Sequence, residues 1–275
     1  MKNIRIVTLA ENCVYGKHLQ GEHGLSIYIE TAQNKILFDT GASDLFIRNA
    51  EQLGIDLKQI DYLILSHGHN DHTGGLLPFI KLNSKARIVC KKEIFTPKYK
   101  GDRENGLFQT DILLNPTNAS RFQTITENTE IFPGAYVIPH LTIYNNEDTH
   151  FDHFEIIKDN RRIPDCFEDE LSLVLTTRQG IVVLSACSHR GITNIIRTIL
   201  NLWPNIPLYY VLGGFHIHKA PESKTNFIGN FFSQYPNCHI GICHCTGVDQ
   251  YAILKAQLGN RLFYNFCGME INIPE

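Results

Sequence analysis

The chain reads as short apolar runs, each closed by a polar turn. Leu25-Ser26-Ile27-Tyr28-Ile29 alternates as a half-buried strand does, and Gln33-Asn34 turns it into Lys35-Ile36-Leu37-Phe38-Asp39, so a hairpin is expected there. Asp44 is placed to cap a helix in which Phe46, Ala50 and Leu53 recur at helical spacing, and Gly54 to end it. Tyr62 to Leu65 is apolar throughout, the signature of a strand covered on both faces, and it runs directly into Ser66-His67-Gly68-His69-Asn70-Asp71-His72. The pattern returns when Leu171 to Thr176, a Gln179-Gly180 turn and Ile181 to Leu184 lead into Ser185-Ala186-Cys187-Ser188-His189. Behind that turn Ile192, Ile195, Ile196 and Ile199 mark a helix. Tyr209 to Leu212 ends at Gly213-Gly214-Phe215-His216, and His239 to Cys243 ends at His244-Cys245-Thr246-Gly247. Polar clusters at the C-terminal ends of strands are where layered α/β folds place ligand sites.

Residues 93–168 break the pattern, being polar, aromatic-rich, weakly periodic and punctuated by Pro97, Pro116, Pro133, Pro139 and Pro164. A long functional insertion that covers substrate is expected there, not a second domain. Residues 1–275 as a whole read as one α+β domain of two mixed sheets packed face to face under helices.

Composition narrows the functional classes. With 43% hydrophobic and 19% charged residues the chain can bury a large core. No apolar stretch approaches the roughly 20 residues of a membrane span, and the start, Met1-Lys2-Asn3-Ile4-Arg5, lacks the apolar core of a signal peptide. A cytoplasmic location is expected, with reduced thiols for the eight scattered cysteines. A net charge of -3 without a long basic block gives no footprint for nucleic acid or an anionic membrane, which leaves a small molecule as the expected partner. Assembly into a homo-oligomer is compatible with the chain.

His67-Gly68-His69-Asn70-Asp71-His72 concentrates three imidazoles and a carboxylate in six residues. That mixture of nitrogen and oxygen donors suits catalytic zinc and also admits manganese or iron. The alternating His67 and His69 can address one ion while Asp71 and His72 reach a second, and Gly68, Gly74 and Gly75 allow close backbone approach. His189 and His244, each closing an apolar strand, are further ligand candidates, and His216 stands near even between ligand contact and simple packing. His18, His140, His150, His153, His218 and His239 are read as having no site role, and Cys243 and Cys245 as buried apolar cysteines.

The run Ser66 to His72 matches the His-x-His-x-Asp-His motif of the metallo-β-lactamase superfamily, and Leu37-Phe38-Asp39-Thr40-Gly41 resembles its usual companion. Glu22-His23-Gly24-Leu25-Ser26, Cys187-Ser188-His189-Arg190-Gly191, Gly213-Gly214-Phe215-His216 and His244-Cys245-Thr246-Gly247 look like a subgroup of it. That subgroup includes the archaeal dihydropterin ribofuranosyl-aminobenzene phosphate synthase of methanopterin biosynthesis. The resemblance implies a four-layer αββα sandwich with two divalent metal ions, Zn2+ first and Mn2+ or Fe2+ next. His67, His69 and His189 would hold one ion and Asp71, His72 and His244 the other, while His23, Asp39, His216 and Thr246 would contact substrate or support the ligands. The superfamily's usual bridging aspartate is absent from Ser185 to His189, which leaves Asp169, Glu170 or Cys187 as candidates for an additional carboxylate or thiolate ligand.

Two metals at such a site lower the pKa of a shared water and stabilise oxyanion charge, and Asp71 is placed to orient that water and hold its proton. The subgroup resemblance implies hydrolysis or group transfer on a small phosphorylated or pterin-like molecule. A flavin-partnered di-iron oxidoreductase of this fold is disfavoured, because its glutamate is replaced by His69 and no flavodoxin domain is present. A non-enzymatic ligand sensor is the other alternative, and the complete histidine motif argues against it.

Overall fold

The computed structural model describes residues 3–107 and 116–274. The first half of the chain forms β1 (Asn3–Ala10), β2 (Ser26–Glu30), β3 (Lys35–Phe38), α1 (Leu45–Gln52), β4 (Tyr62–Ile64), α2 (Asn70–Thr73), α3 (Leu76–Leu82), β5 (Arg87–Cys90), β6 (Lys98–Lys100), β7 (Arg103–Glu104), α4 (Pro116–Ala119), β8 (Phe122–Thr124), β9 (Thr129–Phe132) and β10 (Ala135–Ile138). The second half adds β11 (Phe154–Lys158), β12 (Arg161–Pro164), β13 (Ser172–Thr177), β14 (Gly180–Ser185), α5 (Ile192–Leu202), β15 (Leu208–Gly213), α6 (Glu222–Ser233), β16 (His239–Ile242), α7 (Val248–Leu258), β17 (Leu262–Tyr264) and β18 (Glu270–Pro274). Two compact units result, one of Met1–Thr126, Asp152–Asp169 and Phe266–Glu275, the other of Glu127–Phe151 and Glu170–Asn265.

The first unit is built on a seven-stranded sheet ordered β18-β1-β2-β3-β4-β5-β8. Its pairings are antiparallel from β18 to β3 and parallel from β3 to β8. The expected hairpin is β2–β3, in register from Ile27↔Phe38 to Glu30↔Lys35, with the Thr31 hydroxyl donating to the Asn34 carbonyl in the turn. Helix α1 forms as its spacing predicts, burying Leu45, Phe46, Asn49 and Ala50, and Gly54 follows it at φ +68°. Asp44 does not cap it, because its carboxylate is drawn to Arg48 one turn on at 2.6 Å, and the Ser43 hydroxyl accepts the Leu45 N–H instead. The core joins Leu37, Leu63 and Ile88 of the sheet to Phe46, Ala50 and Phe79 of the helices. At one edge β18 lies antiparallel to β1, with Asn3 opposite Pro274.

The second unit repeats the scheme. Its sheet runs β9-β10-β13-β14-β15-β16-β17, antiparallel as far as β14 and parallel beyond it. Ile192, Ile195, Ile196 and Ile199 of α5 are fully buried in a core with Val183, Val211, Phe232 and Ile240. The start of α5 is held from outside the helix, where the Asp148 carboxylate accepts the Thr193 N–H at 2.8 Å and its hydroxyl at 3.0 Å. Gly191 stands before it at φ +88°, with no room for a Cβ beside Asp148.

The weakly periodic residues 93–168 contribute β8 to the edge of the first sheet and β9 and β10 to the edge of the second. Their strands β6, β7, β11 and β12 form a third, antiparallel sheet in the order β12-β11-β6-β7. Residues 108–115 of the expected insertion lie outside the described residues. Edge strands such as β8 and β12 bury few side chains, so they leave little apolar alternation to read.

Candidate metal centre

In the first unit the site grows from the C-terminal ends of two parallel strands. Past β3, Asp39 sits fully buried with φ +58°, a left-handed backbone rarely taken by a residue other than glycine. Its carboxylate accepts the Ser66 N–H at 2.8 Å and the Ser66 hydroxyl at 2.6 Å, and lies 2.8 Å from His72 Nδ1. A carboxylate on Nδ1 holds the proton there and turns Nε2 outward as a donor to metal. His67 Nδ1 is likewise 2.9 Å from the Ser66 hydroxyl. His69 ends the turn and α2 begins, so that Asp71 and His72 lie on one helical turn, fixed when Thr73 and Thr40 donate to the carbonyls of His69 and His72.

The three imidazoles gather closely, with ring centroids of His67 4.8 Å from His69 and 4.3 Å from His72. Burial pushes the pKa of His67 well below the ordinary imidazole value, reinforced by His72 and His69. Burial does the same to His69, against the opposing pull of Asp71. Both are therefore neutral near pH 7, the form in which histidine binds metal. Asp71 Oδ2 lies 3.7 Å from His72 Nε2 and 3.4 Å from Nε2 of the largely exposed His23, whose Nδ1 meets the Asn12 side chain at 3.1 Å.

In the second unit three strand ends supply the candidates, and each turn contains a residue in the left-handed region: Ser188 at φ +56°, His216 at +47° and His244 at +53°. The Ser188 hydroxyl donates to the Gly214 carbonyl at 2.7 Å, and the Thr246 hydroxyl accepts the Phe215 N–H at 3.0 Å. Thr246 thus locks the Gly213-Gly214 turn to the next one. Gly214 itself is required, since a Cβ would come within 2.5 Å of Cys245 Sγ. Donor atoms of Cys187, His189 and His216 lie within 4.8 Å of one another, as do those of Cys187, His244 and Cys245, so Cys187 is common to both groups.

Two of the carboxylate candidates grip backbone. The Asp169 oxygens accept the Gly68 N–H at 2.6 Å and the Lys98 ammonium at 2.9 Å. The Glu170 oxygens accept the His189 N–H at 2.7 Å and the Arg190 N–H at 2.8 Å. Each carboxylate holds the backbone of a histidine turn. Cys187, the thiolate candidate, has its donor atom within 4.8 Å of those of His189, His216 and His244.

His150, assigned no role from sequence, lies beside two of these candidates. Its carbonyl lies 3.1 Å from His189 Nδ1, and its ring centroid is 4.2 Å from that of His216, which in turn lies 4.2 Å from that of His189. No motif surrounds His150, so only the fold reveals it. In the first unit imidazoles with a carboxylate, and in the second imidazoles with a thiol, each at strand ends, are donor types that fit a zinc-type ion.

Comparison with known proteins agrees with this chemistry. Residues 19–154 match the family described as the metallo-beta-lactamase superfamily. The chain is 31% identical over 264 residues to the 7,8-dihydropterin-6-methyl-4-(β-D-ribofuranosyl)-aminobenzene-5'-phosphate synthase of Methanocaldococcus jannaschii, covering 89% of this chain and 88% of that one. An uncharacterised protein of the same organism is also 31% identical, over 98% of this chain and all of its own length. Among solved structures, Tm1679, described as a metal-dependent hydrolase of the β-lactamase superfamily, superposes with a TM-score of 0.88 at 31% identity, over 99% of this chain and 100% of that one. With the histidine turn, its aspartate anchor and these relatives in agreement, the chain belongs to the metallo-β-lactamase superfamily and has that superfamily's α+β fold.

Proposed function

We propose that this protein is a metal-dependent hydrolase or transferase acting on a small phosphorylated or pterin-like molecule. The observation that carries the reading is the Asp39-anchored turn of His67, His69, Asp71 and His72 in a chain 31% identical to a pterin-pathway synthase. Its membership of a superfamily that includes a metal-dependent hydrolase supports enzyme status. In this reading His67, His69 and His189 hold one divalent ion and Asp71, His72 and His244 a second, with zinc the first choice and Mn2+ or Fe2+ next. Cys187 is the candidate for the additional, thiolate ligand. Such ions, when bound, supply Lewis acidity at neutral pH.

The chain's own residues do the rest. Asp71 holds or passes a proton beside the site, while His23, His216 and Thr246 orient the substrate or its supports. The described residues of the 93–168 stretch cover the substrate in this reading, and the substrate is a small molecule rather than nucleic acid. Among the described residues no helix is long and apolar enough to cross a membrane, and we place the protein in the cytoplasm.

Metal analysis of the purified protein with the His67→Ala and His244→Ala variants tests the ligand set. About two ions per chain are expected in the wild type and fewer in each variant; full occupancy in both variants overturns the assignment. Turnover on phosphomonoester, phosphodiester and pterin phosphate substrates then separates an enzyme from a sensor, which would bind without turnover.

A further inference from the structure

A buried ion triad plays no part in the ligand set. Lys98, at the start of β6, is only 3% exposed at its side chain, with its ammonium 2.6 Å from Asp165 and 2.9 Å from Asp169, both of them buried. Burial alone would lower the Lys98 pKa, but the two carboxylates more than offset it, so the ammonium stays charged. Such triads are poor stabilisers, since well-packed apolar side chains in their place are often as good or better. Stability is therefore a weak reason for this one.

Its contacts supply a stronger reason. The second oxygen of Asp169 accepts the N–H of Gly68, the residue between His67 and His69. On Gly68 a Cβ would come within 2.7 Å of the Ile94 carbonyl and 3.1 Å of Lys98, so the backbone is wedged between the triad and its neighbour. Asp165 accepts the Phe167 N–H at 2.7 Å, supporting that residue at φ +52°. The Phe167 ring is thereby set 5.2 Å from His69 and 6.3 Å from His67, with the Lys98 ammonium 5.2 Å from its centroid. Phe154 of β11 adds a second ring 4.8 Å from His69. The Lys98 carbonyl also accepts the Asn105 N–H, and the Asn105 carbonyl accepts that of Asn70.

We propose that Lys98, Asp165 and Asp169 form a cradle that positions the His67-Gly68-His69 turn for metal, making them positioning residues of the centre. The consequence for metal rests on the functional reading above, whereas the grip on the turn does not. The third sheet is then the foundation of the metal turn.

The test compares Asp169→Leu, which removes the acceptor, with Asp169→Asn, which keeps one for Gly68. Hydrogen exchange of the metal-free full chain is followed peptide by peptide, and Zn2+ affinity is measured against a competing chelator. We expect Asp169→Leu to speed exchange selectively in residues 66–71 and to weaken Zn2+ binding about ten- to hundredfold, as loss of a supporting partner does elsewhere. Asp169→Asn should restore most of both. Wild-type exchange and affinity in Asp169→Leu overturn the proposal, as does exchange that rises evenly through the first unit without rescue by Asp169→Asn. If the wild type takes up no Zn2+, the metal reading fails and the exchange pattern alone decides the cradle. Should Asp169→Leu not fold, Lys98→Met enters the same comparison with the same expected outcome.

Discussion

Asp71 and Asp39 are both carboxylates beside histidine, yet their surroundings give them different work. Asp39 is fully buried, and its oxygens are committed to Ser66 and His72. Asp71 is partly open, its oxygen at 3.4 and 3.7 Å from two histidines. Asp71→Asn is nearly isosteric, so thermal stability should stay close to wild type while turnover falls about 100- to 10,000-fold, the usual worth of a positioned proton-transfer group. Comparing turnover, melting temperature and metal content of the variant checks this, and near-normal turnover removes Asp71 from the chemistry. At this scale the sequence pointed to His67, His69, Asp71 and His72 as candidates because metal chemistry needs such side chains within a few positions. It did not show Lys98 or His150, nor what Asp169 does. The Gly68–Asp169 hydrogen bond spans 101 positions, and nothing local to either residue encodes the other.

The elements that were legible are those whose burial is nearly complete. Strands β4 and β14 and helix α5 carry unbroken or regularly spaced apolar residues because the fold covers them, and their patterns predict them closely. Helix starts were less legible. The sequence suggested that Asp44 caps α1 locally, whereas α5 is held by Asp148, which lies 45 positions from Thr193. Removing that carboxylate leaves a buried N–H and hydroxyl without their acceptor, so Asp148→Ala should cost about 1–3 kcal/mol of stability. Urea unfolding measures it. A cost below about 0.5 kcal/mol, the range of ordinary surface changes, would mean that the Asn194 side chain, which bonds the backbone at Tyr144 and Asn145, holds the helix start by itself. Residues 93–168 were the least legible, because most of their strands lie at sheet edges or in the small third sheet and expose much of their length.

At the scale of the whole molecule the two seven-stranded sheets share one plan, three antiparallel pairings followed by three parallel ones. In both, the candidate ligands follow strands of the parallel half, where all the C-terminal ends point the same way and the turns beyond them collect at one edge of the sheet. The antiparallel half of the first sheet has a separate consequence. With Asn3 opposite Pro274 in neighbouring strands, the first and last strands end side by side, roughly 5 Å apart by ordinary strand spacing. The order in which the polypeptide is threaded is then separable from the architecture it builds. A circular permutant of residues 3–274 that joins Pro274 to Asn3 through about four to six flexible residues, opened at the exposed Arg178-Gln179 turn, should keep every strand pairing except the continuity of that one hairpin. It should fold to the wild-type circular dichroism spectrum and take up the wild-type complement of Zn2+. A permutant that folds without binding metal would show instead that the covalent link between β13 and β14 sets the geometry of the turn ending at His189.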